Sequence, residues 1–151
     1  MRFKSAQLAC LLLLLIALQA GAAKPLPTPQ LKFIARENVK EGGTWFVKFT
    51  LSIVNRNEFD AALFKAAPEL PPCGSNKNSS RAWVDIYDGA EPHERLYGFC
   101  ALTSSEDLGK LWFAIGPGKQ LPKSVYVVIT DRKTNAKVTS NTVALPEGTG
   151  G

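Results

Sequence analysis

Histidine is the side chain best suited to proton transfer near neutral pH, and this chain has one, His93, in the polar turn DGAEPHE at 88–94. A serine or cysteine nucleophile would need His93 as its base, but no G-x-S-x-G turn presents such a serine. A single histidine also leaves a zinc triad unbuildable. The densest carboxylates are Asp85, Asp88, Glu91 and Glu94, a set from which an acid/base pair for glycoside hydrolysis would have to come. Asp88, Glu91 and Glu94 fall in a turn, where solvated carboxylates are ordinary, and their spacing lacks the ligand pattern of a calcium loop. GPGK at 116–119 lacks the P-loop spacing and reads as a turn. The expectation is a non-catalytic protein without a cofactor or bound metal.

Cysteine chemistry is the next candidate. The chain has Cys10, Cys73 and Cys100. Cys10 lies in MRFKSAQLACLLLLLIALQAGAA, whose basic start (Arg2, Lys4), apolar run Leu8–Leu18 and small-residue exit are those of a secretory signal peptide spanning 1–23. The run is about 11 residues long, whereas a membrane-spanning helix needs roughly 20. Cys10 sits at the start of that run rather than after it, so it is removed with the signal. Cys73 and Cys100 remain, and in an oxidising compartment they are expected to pair; free thiols or an intermolecular bridge are the alternatives. Closing this loop would restrict the unfolded chain by roughly 3–4 kcal/mol.

The expected mature chain, about 128 residues, suits one domain. Removing Arg2 and Lys4 lowers the formal net charge from +5 to +3. That balance lacks the concentrated basic stripe of a nucleic-acid-binding protein. The expected partners are therefore a protein or glycan ligand, with no nucleic acid and no membrane span.

The elements that would position these residues read as strands. In TWFVKFTLSIV at 44–54, apolar Trp45, Val47, Phe49, Leu51 and Ile53 alternate with polar residues, as in a half-buried strand. Further strands are predicted at 31–37, 82–88, 95–102, 110–115, 125–131 and 137–145. Residues 82–102 and 125–145 should each form a hairpin. The lead-in KPLPTPQ at 24–30 is Pro-rich and extended, residues 55–80 form a long irregular insertion with one short helical turn, and 146–151 is a flexible tail. The fold class is all-β: an antiparallel β-sandwich of about seven strands occupying 31–145.

Within LPKSVYVVITDRKTNAKVTSNTVAL at 121–145, the positions Leu121, Pro122, Tyr126, Val128, Ser140, Asn141 and Val143 resemble the end of a fibronectin type III domain. The spacing from Leu121 to Tyr126 is one residue shorter than that pattern. The resemblance implies a fibronectin type III-like sandwich and no particular chemistry.

Strict alternation makes a sharper expectation. If Val84, Ile86, Leu96, Cys100 and Leu102 face the core, then Trp83, Tyr87, Tyr97 and Phe99 share the opposite face, with Asp85 among them. Such a polar-rimmed aromatic patch suits a sugar ring or a protein surface. The competing expectation is that 55–72, carrying Phe59, Leu63 and Phe64, folds over that face. A second candidate surface is the basic hairpin tip with Arg132, Lys133 and Lys137. The functional expectation is a secreted binding or adhesion module; the alternative is a hydrolase inhibitor presenting the loop Cys73–Ser80. Asn78-Ser79-Ser80 is also an N-glycosylation sequon if the source is eukaryotic. Intact-mass analysis of exported protein should place its first residue at Ala23 or Lys24, and retention of residues 1–22 would refute the export reading.

Overall fold

A computed structural model describes residues 24–75 and 79–147. The expected signal peptide at 1–23, Asn78 with the tip of the Cys73–Ser80 loop, and the end of the tail lie outside the described residues. The strands are β1 (Leu31–Glu41), β2 (Thr44–Ile53), β3 (Ala82–Asp88), β4 (Arg95–Phe99), β5 (Leu111–Ile115), β6 (Ser124–Asp131), β7 (Ala136–Thr139) and β8 (Val143–Ala144). They form two antiparallel sheets, β1-β2-β5 and β4-β3-β6-β7, with β8 also paired to β6. The protein is an all-β sandwich.

Alternation builds its core. In β3 and β6 every second residue is buried, so Val84, Ile86, Val125, Val127 and Ile129 meet Phe49, Leu51, Ile53, Leu111 and Phe113 of the other sheet. Phe49 and Phe113 face each other across the β2–β5 pair and stack with centroids 5.0 Å apart. Truncating either ring to alanine would cost about 3–5 kcal/mol.

Three boundaries differ from the sequence expectation. β1 continues past Glu37 to Glu41 because Gly42 (φ 56°) and Gly43 (φ 86°) close a two-residue hairpin turn. Positive φ at both positions matches the twist of the flanking strands, so backbone pairing extends β1 where its side chains are polar. β4 stops at Phe99 rather than Leu102. The last predicted strand breaks into β7 and β8, where the Ser140 hydroxyl accepts from the Val127 N–H (2.9 Å) and donates to the Asn141 carbonyl (2.7 Å).

The insertion at 55–80 supplies core. It contains short 3-10 turns at Arg56–Glu58 and Ala61–Phe64, the second capped by Asp60, which accepts from the Ala62 N–H at 2.8 Å. Phe59, Leu63 and Phe64 are buried in the main hydrophobic cluster. The far end of the insertion is tied down by the Cys73–Cys100 disulfide, with Cα atoms 5.9 Å apart.

Asp131 ends β6 almost fully buried and gathers the adjacent turn. Its carboxylate accepts from Arg81 (Nε, 2.5 Å), the Thr134 hydroxyl (2.7 Å) and the Lys133 N–H (3.0 Å). Burial alone would raise its pKa, but the Arg81 guanidinium and these donors prevail and hold it down to about 2, from 3.8. Because the folded pKa is depressed, this stabilisation is present above about pH 4 and is lost as pH falls toward 2. Asp131→Asn should therefore lose about 2 kcal/mol at neutral pH and show a flatter acid limb in denaturation measured between pH 4 and 2; an unchanged limb would refute the assignment.

Candidate functional site

The aromatic residues singled out on β3 and β4 divide into two groups. In the β3–β4 ladder Val84 stands opposite Phe99 and Ile86 opposite Tyr97, and directly opposed residues of an antiparallel pair share a face. Tyr97 and Phe99 thus leave β4 on the core side, not with Trp83 and Tyr87. The expected common face is wrong because of an irregularity at Leu96: Ile86 pairs with Tyr97, but the next residue, Tyr87, pairs with Arg95. A bulge carries one extra residue and reverses the phase of alternation. Cys100 lies buried beyond the strand end.

Trp83, Asp85 and Tyr87 do share the outer face. Trp83 Nε1 donates to Asp85 Oδ1 at 3.0 Å, and Arg95 Nε donates to the same oxygen at 2.6 Å. Tyr87 stacks on Tyr126 of β6 with centroids 5.4 Å apart, and His93 meets Tyr126 edge-on at 5.7 Å. Tyr126 therefore belongs to this outer stack. Phe59, Leu63 and Phe64 of the insertion join the core cluster, and Trp83, Asp85 and Tyr87 are half-buried. The insertion's contribution near Trp83 is indirect: the Pro71 carbonyl and the Ser79 hydroxyl (3.0 Å) accept from Arg132, whose guanidinium lies 5.2 Å over the Trp83 ring.

That contact also corrects the basic-tip expectation. Arg132 is committed to Trp83, Pro71 and Ser79, while Lys133 and Lys137 are exposed. The three cations do not act as one free patch.

The carboxylates fail to converge. Asp85 lies on the outer face, bound to Arg95; Asp88, three residues along the same strand, pairs opposite core-facing Val125 and caps its own turn by accepting from the Ala90 N–H at 2.9 Å. His93 Nε2 sits 3.0 Å from Glu91 and its Nδ1 3.2 Å from the Asp88 carbonyl. Among the described residues, no group of three or more His, Cys, Asp and Glu is placed to hold a metal ion.

Tyr97 and Phe99 instead meet a ring that the sequence reading did not select. Trp112 leaves β5 on its outer side, between core residues Leu111 and Phe113. Because β4 and β5 are both terminal strands of their sheets, the three rings come together at the rim. Tyr97 lies 5.0 Å from Phe99 and 5.1 Å from Trp112, and Lys48 Nζ is 5.4 Å above the Trp112 ring. Tyr97 remains 40% exposed and Trp112 37%. Beside them runs a shallow groove of about 460 Å³, walled by the consecutive residues 97–103 and by Asp107 and Lys110. Period-two alternation through KLWFAI carried the signal that Trp112 points outward; its partners lie on a distant segment and carried none.

Asp107 stabilises one end of this groove. Burial would raise its pKa, but hydrogen bonds from the N–H and hydroxyl of Thr103 and from the Ser104 N–H lower it on balance. At the other end, a Cβ at Gly98 would fall on the Arg95 guanidinium and 2.8 Å from Asp85 Oδ1. Gly98→Ala should therefore displace Arg95 from Asp85 and cost about 1 kcal/mol, the scale of a partly exposed ion pair. In an Arg95→Ala background the same change should cost clearly less, the remainder coming from the 2.8 Å approach to Asp85 Oδ1. Additive losses in this double-mutant cycle, measured by denaturant titration, would refute the steric account.

Comparison with protein-family models, curated proteins and solved structures finds no match.

Proposed function

We propose that this protein is a secreted, non-catalytic binding module that engages a protein or glycan through the rim formed by Tyr97, Phe99 and Trp112. The observation that carries this reading is the exposure of two large rings in mutual contact beside a groove, with a lysine above one of them. Aromatic side chains clustered at a rim are the usual anchors of an interface, and their faces also stack on sugars. Export is supported by the signal-like segment at 1–23 and by the paired cysteines, which persist in oxidising compartments.

The fibronectin type III reading belongs to the same proposal. The fourth strand joins β3 and β6 rather than β1, β2 and β5, unlike the immunoglobulin constant arrangement. Ser140 and Asn141, two positions of the resemblance, hold the break between the last strands.

Profiling on a glycan microarray and against a display library of random dodecapeptides tests the module. The wild type should bind a defined subset of one of them. Tyr97→Ala and Trp112→Ala should each weaken that binding at least tenfold while the thermal midpoint changes by only a few degrees, since neither ring belongs to the buried core. Identical profiles for wild type and variants, or no binding to either probe set, would refute the proposal.

A further inference from the structure

We propose that the rim takes an extended acidic polypeptide, which adds as a strand to the free edge of β4; this rests on the reading of the rim as a binding surface. The terminal strand of a sheet presents unpaired N–H and C=O groups to solvent. β4 has β3 on one side and no strand on the other. Beyond the strand end Cys100 and Leu102 are buried, and the groove runs beside the edge, walled by residues 97–103. β4 is five residues long and spans about 17 Å, the length of an ordinary strand. Main-chain pairing would supply affinity without fixing sequence, and the rings of Tyr97, Phe99 and Trp112 would receive alternate apolar side chains.

Charge selects the partner's sign. Lys48 stands over Trp112 and Lys110 lines the groove. Among the described residues neither is in an ion pair. The one carboxylate in the wall, Asp107, accepts from Thr103 and Ser104 and also feels the Lys110 charge. Against that single carboxylate the rim sets two lysines, so it favours an incoming strand of negative charge. The same cations oppose a second copy of this chain, since edge-to-edge pairing would set like charges against one another.

The probe is a display library of random dodecapeptides, selected on the purified protein and counter-selected on the Tyr97→Ala/Trp112→Ala variant. Enriched peptides should alternate apolar with acidic residues. By fluorescence anisotropy their affinity should fall at least tenfold for Lys48→Glu/Lys110→Glu. N-methylation of every second peptide amide should weaken binding to the unaltered protein at least tenfold in one phase of the alternation and little in the other. That arm needs no protein variant to fold. Enrichment of basic peptides, or of peptides indifferent to N-methylation in both phases, would overturn the proposal. A ring-dependent signal on the glycan microarray with no enriched peptide would overturn the polypeptide occupant and leave the binding module standing; silence from both probes overturns both. A dimer in analytical ultracentrifugation that Ala101→Pro dissolves would give the edge to a second copy and overturn it as well.

Discussion

The antiparallel pairing of β3 with β6, continuous from Ala82–Asp131 to Asp88–Val125, is the interaction on which the rest depends. It is uninterrupted and alternates without a fault, so it divides the larger sheet into a core face and an outer face. Val84, Ile86, Val125, Val127 and Ile129 go inward and pack against β2 and β5. Trp83, Asp85, Tyr87 and Tyr126 go outward, where an ion pair with Arg95 and a stack of two tyrosines occupy them. At its Ala82 end, the ladder brings Arg81 to the buried carboxylate of Asp131, which also organises the turn into β7. A buried carboxylate without its cation would be costly, so strand pairing, turn geometry and ion pair reinforce one another.

The two sides of the sandwich are finished differently. On the β1 side the Asn141 side chain acts as a fragment of peptide: its oxygen accepts from the Leu31 N–H at 2.8 Å and its amide donates to the Leu31 carbonyl at 3.1 Å. This joins the sheets where β1 passes β8. On the opposite side β4 and β5 end their sheets, among the described residues without such a link, and three aromatic rings fill the corner. Rings at a rim are stabilised by one another and still present a face to solvent. The asymmetry assigns stability to one margin of the fold and availability to the other.

Much of the fold was legible because alternation is a local property. β2, β3 and β6 announce themselves through apolar residues at every second position, and the short turn at Ala61–Phe64 through its apolar cluster between polar flanks. The pairing of Cys73 with Cys100 followed from there being two cysteines in the expected mature chain. The candidate site was legible only in pieces. Tyr97 and Phe99 were recognised as aromatic strand residues, but their direction was misread, because a bulge at Leu96 leaves no mark in the pattern of residue types. Arg132 looked like a solvated cation until folding brought Trp83, Pro71 and Ser79 to it.

What the sequence determined by itself is the class of structure: which segments are strands, which faces are apolar and where turns reverse the chain. Those properties depend on neighbours one to four positions away, where covalent geometry dictates direction. Only the tertiary structure decided which strands are terminal, that β4 and β5 lie together, and that Trp112 meets residues more than ten positions distant in the chain. Register and edge position are set by the packing of the whole core, and a single inserted residue in one strand exchanges its inner and outer faces. The rim is therefore a consequence of assembly, written in no segment alone.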